Sequence, residues 1–304
     1  MQALPKLGVG LAFQAPLRTL IEQAGADLGF IELVPDILWS DLGPEAVPRY
    51  IDDHDGLAFM QRMAHPLIPH SIGLSIGSAH QFNRDHIAQM RQWWERFQFP
   101  WHSDHLAYHL AEHQDSEMNV GITLPLPRDH ATLELLIPRV AEVMRRIPAP
   151  FLLENNVYYF DIPEAEMDEA EFLNTLCAES GCGLLLDLHN VYTNSRNHGF
   201  DAQAFLAQLD LEHVGELHVA GGMELDGFYL DAHSGPVPPP VWDLLEWTLP
   251  RCPNVGGVVF ELFGSWFDVV GEQRVRRDLE RLREIWARAQ PVPEATLPQT
   301  ALLA

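Results

Sequence analysis

Carboxylate, imidazole and amide side chains stand at the ends of short apolar runs in this sequence of 304 residues. The run FLLE ends in Glu154, GLLLD ends in Asp187 and GVVFE ends in Glu261. Carboxylates that lie close together in a partly dry site repel one another, and metal cations compensate for their charge. A mixed set of imidazoles and carboxylates suits iron, manganese or zinc. These residues indicate a metal site, and they leave the choice of metal open.

Taken one at a time, most of these residues have a purely structural interpretation. A histidine in a strand is commonly a hydrogen-bonded core residue, and an acid at a strand end often caps the next helix. The set is harder to explain in this way, because seven of the eight predicted strands carry such a group. These groups are Glu32, His70, Asp104, His105, Glu154, Asn155, Asn156, Asp187, His189, Asn190, His218 and Glu261, with Asp231 and His233 in a later loop.

The elements that must position these residues follow from the pattern of apolar residues. Strand-like runs cover residues 7–13, 28–34, 67–76, 102–108, 151–159, 183–192, 214–221 and 257–263. Helical patterns follow at 16–24, 83–98, 129–147, 167–180, 201–209, 238–249 and 271–289. Eight strands alternating with helices predict an α/β fold, a single-domain (β/α)8 TIM barrel. An open doubly wound sheet is disfavoured because no GxGxxG turn follows a strand.

The predicted catalytic barrel domain spans residues 1–290, and residues 291–304 are predicted to form a flexible tail. In a barrel of this kind, the active site is built from the C-terminal ends of the strands and the loops after them. The polar residues are therefore expected to meet at one mouth. The loops 35–66 and 77–101 are long, and their Trp39, Phe59 and Phe82 are candidates for lining its opening.

Composition limits the classes of partner. The net charge of −24 disfavours binding to a phosphate backbone, so nucleic acid is not an expected partner. No apolar run reaches the roughly 20 residues needed to span a bilayer, and no signal peptide stands out. Three scattered cysteines suit a reducing compartment, so we expect a cytoplasmic protein without a membrane partner.

Several longer motifs carry a resemblance to a known family. These motifs are PHSIGLSIGS (69–78), SDHLAY (103–108), LLENNVYY (152–159), LLLDLHNVYTNSRNHGFD (184–201), GELHVAGG (215–222) and an Asp-x-His at 231–233 followed by Glu261. In this order and spacing the chain resembles the multinuclear non-heme iron-dependent oxidative enzymes. The resemblance covers residues 5 to 288, and the LLLDLHNVY stretch is its most specific part.

The resemblance implies a barrel that holds two or three iron ions and uses molecular oxygen to modify a ribosomally synthesised precursor peptide. The modified group would be a cysteine, or another side chain or terminus that ligates iron, and a small partner protein would present the peptide. A histidine near the metals that does not itself bind one could transfer protons, and His189 and His198 are the candidates for this catalytic role. The implied metal ligands are His70, Asp104, Glu154, Asn156, Asp187, Asn190, His218, Asp231, His233 and Glu261.

Two positions depart from the family pattern. Asp104 stands where the family's usual motif has Glu, which keeps a carboxylate but shortens it by one methylene. His189 stands where many relatives have an amide, which marks a subgroup with an altered site or substrate.

Two other functions fit the same residues. A redox-neutral barrel enzyme that uses divalent metals, such as a sugar isomerase, an epimerase or a phosphodiesterase, also gathers acids and histidines at strand ends. An isomerase that pairs a lysine with a second base is disfavoured, because Lys6 is the sole lysine. A non-catalytic metal-binding scaffold is the third alternative.

Overall fold

The computed structural model describes residues 3–63, 65–80, 82–113, 116–160, 162 and 165–289. Eight parallel strands close into a barrel, which confirms the predicted fold class. In chain order they are β1 Gly8–Ala12, β2 Phe30–Leu33, β3 Leu67–Ser71, β4 His102–His105, β5 Phe151–Glu154, β6 Gly183–Asp187, β7 Val214–Ala220 and β8 Gly257–Glu261. Each strand pairs with its neighbours in the sequence of strands, and β1 pairs with β8 to close the barrel. The tail predicted for residues 291–304 lies outside the described residues.

Ten α-helices accompany the strands. They are α1 Arg18–Ala24, α2 His54–Arg62, α3 Arg84–Phe97, α4 His130–Arg146, α5 Glu169–Ser180, α6 Leu188–His198, α7 Ala202–Leu206, α8 Pro239–Thr248, α9 Phe267–Val270 and α10 Glu272–Ala289 among the described residues. Asparagine or aspartate caps begin several of them. Asn83 accepts a hydrogen bond from the His86 backbone at the start of α3, and Asp168 accepts one from Glu171 at the start of α5.

The strands alternate between two buried layers. Residues that point out of the barrel, such as Ile31 and Leu153, pack in the large core beneath the helices. Residues that point inward form a small second core at the N-terminal end of the barrel. Its members are Leu4, Ala12, Phe30, Ile68, Trp101, Leu152, Leu185 and Val259. This apolar floor closes the N-terminal end of the barrel, so the interior opens toward the C-terminal ends of the strands.

Three antiparallel hairpins extend the loops at those C-terminal ends. Their strands are Trp39–Asp41 with Tyr50–Asp52, Tyr108–His113 with Ser116–Leu124, and Met223–Leu225 with Phe228–Leu230. They follow β2, β4 and β7 and border the mouth of the barrel. Among the described helices, no segment combines the length and the apolar character needed to cross a membrane.

Candidate metal centre

A layer of polar side chains lies directly above the apolar floor of the barrel. Side chains on one face of a strand recur every second residue, so the residue two positions after a floor residue also points inward. In five strands that residue is polar. Thus Phe30 is followed by Glu32, and Ile68 is followed by His70. The other three pairs are Leu152 with Glu154, Leu185 with Asp187 and Val259 with Glu261. The fold therefore brings acids and histidines from separate strands into one small buried volume.

Glu154, at the end of β5, lies at the middle of this layer. Its Oε2 is 3.2 Å from His70 Nε2 and 3.2 Å from His105 Nε2. Its Oε1 is 3.7 Å from His218 Nδ1, and the same nitrogen is 3.0 Å from Glu261 Oε2. The ligand atoms of His70, Glu154 and His218 lie within 4.8 Å of one another, and those of Glu154, Asp187, His218 and Glu261 do so as well. Two groups with the dimensions of a metal site thus share Glu154 and His218.

A third group lies at the side of the mouth after β7. Asp231 Oδ1 is 2.9 Å from His233 Nε2 and 2.9 Å from His189 Nδ1. The ligand atoms of these three residues also lie within 4.8 Å of one another. His233 Nε2 is 3.7 Å from Glu261 Oε2, which connects this group to the one around Glu154. The three groups form one continuous cluster.

Asp187 and Asn190 border the cluster at the start of α6. Asp187 Oδ1 caps the helix by accepting a hydrogen bond from the Asn190 backbone amide at 2.8 Å. The backbone amide of Asp187 donates to Asn155 Oδ1, and Asn190 Nδ2 donates to the Asn155 carbonyl oxygen. These bonds leave Asp187 Oδ2 and Asn190 Oδ1 buried without a hydrogen-bond partner.

Buried ligand atoms without a hydrogen bond lie throughout the cluster. They are Glu154 Oε2, Asp187 Oδ2, Asn190 Oδ1, His218 Nδ1, His233 Nε2 and Glu261 Oε2. Glu154 Oε2 faces imidazole nitrogens at 3.2 Å, His218 Nδ1 faces Glu261 Oε2 at 3.0 Å, and His233 Nε2 faces Asp231 at 2.9 Å. Polar atoms buried in this way are costly unless partners compensate, and metal ions would compensate for the set. The donor set of carboxylate oxygens, imidazole nitrogens and an amide oxygen therefore fits a site for more than one ion, of a kind that iron or manganese accepts.

In the metal-free protein, acids and histidines of the cluster neutralise one another. Burial alone would lower the pKa of His70, but the charge of Glu154 outweighs it and raises the pKa to about 9. Burial opposes the charge of His233 as well, and Asp231 raises its pKa to about 10. Burial also acts on Asp187 and, together with the charge of Glu154, raises its pKa well above the usual range. Protons thus compensate for the crowded acids where cations are absent.

Contacts to Nδ1 orient the rings of His105 and His70, whose Nε2 atoms face Glu154. His105 Nδ1 donates to the Ser71 carbonyl oxygen at 3.0 Å, which turns its Nε2 toward Glu154. His70 Nδ1 is 2.9 Å from Ser103 Oγ, and this contact turns its Nε2 toward the same carboxylate. Such partners hold the rings of metal-binding histidines in their binding orientation.

Asp104 does not reach this cluster, although the family pattern made it an expected ligand. Along β4 the inward residues are Ser103 and His105, so Asp104 points to the helix side of the sheet. There its Oδ2 accepts a hydrogen bond from the Leu74 backbone and lies 3.9 Å from His86 Nε2. Burial raises the pKa of Asp104 well above its usual range. The structure places His105 in the position that we expected for Asp104.

The two histidines proposed for proton transfer have different surroundings. His189 is fully buried, and its ring lies between Asp231 and the hydroxyl of Tyr229. It belongs to the third group of the cluster, where its Nδ1 contacts Asp231. His198 lies at the C-terminal end of α6, where its Nε2 is 2.9 Å from the Tyr158 carbonyl oxygen. The structure does not bring His198 into the cluster.

His105 belongs to the cluster but was absent from the expected ligand set, and His189 was expected only as a proton-transfer residue. Glu32 and Glu216 were not expected either, and they form a separate close group with His218. Residue spacing contains the signal for His105 and Glu216, because Ser103 and His105 share one face of β4, as do Glu216 and His218 on β7. Asn156, by contrast, was expected and lines the mouth with an unpaired buried Nδ2.

A cavity of about 940 Å³ connects the cluster to the surface. Its inner wall includes His70, Glu154 and Glu261, and its outer wall includes Trp39 and residues 119–123 of the second hairpin. Of the aromatic residues expected at the opening, only Trp39 lines this cavity among the described residues. Phe59 packs in the core with its ring 5.6 Å from that of Phe13. Phe82 packs beneath the guanidinium groups of Arg84 and Arg139.

Known structures with this architecture share the fold but little sequence. A xylose isomerase-like TIM barrel protein from Mycobacterium smegmatis, in complex with magnesium, aligns with a TM-score of 0.56 at 16% identity, over 94% of this chain and 100% of that one. Endonuclease IV from Thermus thermophilus aligns with a TM-score of 0.56 at 14% identity, over 93% and 100% of the two chains. At this level of identity the likeness shows the TIM-barrel fold alone.

Sequence comparison gives closer relatives. A UPF0276 protein of Rhizorhabdus wittichii is 36% identical over 222 residues, which is 72% of this chain and 77% of the relative. A UPF0276 protein of Bordetella pertussis is 36% identical over 246 residues, or 79% and 80% of the two chains. A profile of the RiPP precursor modification enzymes MbnB/TglH/ChrH matches residues 8–284, which include every residue of the cluster. The resemblance found in the motifs is thereby confirmed, and this chain belongs to the MbnB/TglH/ChrH family.

Proposed function

We propose that this protein uses bound iron and molecular oxygen to oxidise a ribosomally synthesised precursor peptide. The observation that carries the proposal is the joining of three ligand groups through Glu154, His218 and Glu261. A single ion would leave much of this cluster unpaired. Two or three ions fit the number and spread of its unpaired atoms, and membership of the family supports a peptide substrate.

The residues divide by position into three sets of ligands. His70, His105 and Glu154 would hold an ion on the β3–β5 side, and Asp231 and His233 would hold one on the opposite side. Glu154, Asp187, His218 and Glu261 lie between these two sides. Bound iron supplies Lewis acidity and the electrons for reduction of oxygen. The chain supplies the fixed ligands and a buried floor that keeps bulk water from the metals.

The cavity suits a peptide that enters from the mouth. At about 940 Å³ it holds several residues of an extended chain, and its inner end opens onto the cluster. A thiolate, carboxylate or other ligating group of the peptide would bind metal directly at this end. His189, held against Asp231, would help to move a proton through that carboxylate. We propose a cytoplasmic location, where the three free thiols of the described chain would stay reduced.

An apolar rim surrounds the mouth and supports a further part of the proposal. The exposed large hydrophobic residues in the described chain all lie in the segments between the C-terminal end of one barrel strand and the next main helix, either in loops, in the three hairpins or in the short helix α9. They are Ile37, Leu42, Val47, Ile51, Met118, Ile122, Tyr159, Phe160, Leu225, Phe228, Phe263 and Val269. Exposed apolar surface concentrated on one face is typical of a binding site for another protein. We propose that a small protein docks on this rim and presents the precursor peptide.

Oxygen consumption by the iron-loaded protein tests the proposal. With reduced iron and a precursor peptide encoded beside the gene, oxygen uptake should accompany a mass change in the peptide. Each component omitted alone should abolish both signals, and the Glu154→Gln variant serves as the inactive control. Turnover of a sugar without oxygen, together with an unmodified peptide, would favour the redox-neutral alternative.

A further inference from the structure

His218 is held differently from the other histidines of the cluster. It lies in the middle of β7 and is fully buried. Its Nε2 is 2.9 Å from Glu32 Oε2, whereas its Nδ1 faces Glu261 and Glu154. His70 and His105 present Nε2 to the cluster and are held by a hydroxyl and a carbonyl oxygen. His218 alone of these three uses the opposite nitrogen and has a carboxylate behind it.

Glu32 has little other function in the fold. It is 1% exposed, its Oε1 has no hydrogen-bond partner, and His218 is the hydrogen-bond donor to its side chain in the described structure. Burial of a carboxylate in a barrel interior is costly unless a partner compensates. An apolar residue would serve packing better at this position. The cost indicates that the contact with His218 is the reason for the acid.

Glu216 lies below Glu32 in the floor of the barrel. Its Oε2 accepts a hydrogen bond from Trp101 Nε1 at 2.8 Å, and its ligand atom lies within 4.8 Å of those of Glu32 and His218. These three residues do not form a further metal site, because His218 Nε2 is already engaged by Glu32 and two carboxylates alone are too few ligands. Glu216 is instead held by Trp101, and Glu32 is the carboxylate that engages His218 Nε2.

We infer that Glu32 is a positioning residue that holds the His218 ring so that Nδ1, not Nε2, binds metal. With Nε2–H donated to a carboxylate, the ring cannot turn over, and its Nδ1 lone pair points into the cluster. A carboxylate behind a ligating imidazole also makes the imidazole a stronger donor. Glu32 therefore acts on the metals through His218 and does not touch them. The inference rests on the metal centre of the proposed function but not on iron or on oxygen chemistry.

Zinc affinity measured by competition with a chromophoric chelator tests this role. Outer partners of metal ligands commonly contribute roughly 10–100-fold to affinity. Glu32→Leu should lose affinity in that range. Glu32→Gln should lose less, because its amide oxygen still accepts from Nε2–H although the charge is gone. Glu216→Gln is the matched control, because Glu216 is also a buried glutamate near His218 but has no hydrogen bond to it. The zinc affinity of this variant should stay close to that of the parent protein.

Nitrogen NMR of the histidine-labelled, zinc-loaded protein gives a readout that a merely structural role would not move. The parent protein and Glu32→Gln should show His218 with a protonated Nε2 and a metal-bound Nδ1. Glu32→Leu should lose that pattern while circular dichroism stays unchanged. Equal zinc affinity in all variants, or an Nε2-bound His218 in the parent protein, would overturn the inference. If the zinc affinities and the NMR pattern are as expected but the iron-loaded protein consumes no oxygen, the proposed function alone is contradicted.

Discussion

Glu154 is the residue on which the cluster depends most. One of its oxygens faces His70 and His105, and the other faces His218, so it belongs to two of the three ligand groups. A carboxylate in this position would have a bridging role, in which it shares its charge between the ions of both groups. The same contacts lower the pKa of Glu154 despite its burial, because three histidines surround it.

Glu154→Gln should therefore remove most of the bound metal. The amide keeps the size of the side chain but offers one weak acceptor and no charge. Metal content after dialysis, measured by elemental analysis, should fall well below that of the parent protein while circular dichroism shows an intact barrel. Glu166→Gln is the control and should bind metal normally, because Glu166 is exposed and its carboxylate accepts a hydrogen bond from the His130 backbone at the start of α4, away from the cluster. Full metal retention in Glu154→Gln would contradict the bridging role.

Protonation of the histidines predicts how the metal-free protein responds to pH. The pKa values of His70 and His233 are raised to about 9 and about 10 in the folded state, above the ordinary value near 6.5. Their stabilising effect is complete below pH of about 6.5 and is lost as pH rises through those values. Asp187, whose pKa is raised, also favours the proton-bound folded state and changes stability in the same direction.

Thermal melts of chelator-treated protein between pH 6.5 and about 10 should accordingly show a falling midpoint. Bound metal replaces the protons, so the metal-loaded protein should melt several degrees higher and depend less on pH over this range. Identical curves with and without chelator would mean that the acids and histidines do not share a metal site.

At the scale of the element, β4 shows how side-chain alternation selects ligands. The family pattern made Asp104 an expected ligand, yet the strand points Ser103 and His105 into the barrel. His102 and Asp104 face the helices, where the ring of His102 stacks on that of Phe151 at 4.8 Å. A shift of one residue along a strand exchanges the two faces completely.

Metal content of paired variants in β4 tests this alternation. His105→Ala should bind less metal, because it removes an imidazole 3.2 Å from Glu154 Oε2. Asp104→Asn should keep the metal of the parent protein, since the Asp104 carboxylate contacts the Leu74 backbone and His86 and no ligating side chain of the cluster. The opposite result, with Asp104→Asn poor in metal and His105→Ala unchanged, would restore Asp104 as a ligand.

The sequence predicted the strands and helices well because their signals are local. Apolar runs of strand length depend on neighbouring residues, and all eight predicted strands are present, although the run 183–192 ends as a strand at Asp187 and continues as α6. The partners of Glu32 were not predictable in this way. Glu32 and His218 are 186 residues apart in the chain, and only closure of the barrel brings them to 2.9 Å. The same holds for Trp101 and Glu216, whose hydrogen bond crosses the barrel floor.

At the scale of the whole molecule, a strongly acidic net charge is combined with an apolar rim around the mouth. The net charge of −24 disfavours binding to a phosphate backbone, whereas the hairpins and loops around the mouth expose hydrophobic side chains. A partner that carries a peptide to the cavity must cross this rim. The rim extends over loops after several strands, so substitutions in its hairpins should weaken docking without disturbing the cluster.

Substitution of Ile122 and Phe228 by Ser should therefore weaken binding of the partner protein by at least about tenfold, which corresponds to roughly 1.4 kcal/mol. The two residues are 64% and 44% exposed and lie on different hairpins. Binding measured by titration calorimetry is compared with metal content, which should not change. Arg277→Ser, on the outer helix α10, is the control away from the mouth. Unchanged affinity in the rim variant would place the partner elsewhere.

Iron analysis of protein purified without oxygen tests the central claim most directly. Three joined ligand groups predict more than one iron per chain, with Mössbauer spectra that resolve iron in more than one environment. Reconstitution with iron after chelation should restore the same number. Zinc alone, a trace of metal or a single iron per chain after reconstitution would contradict the multinuclear iron centre.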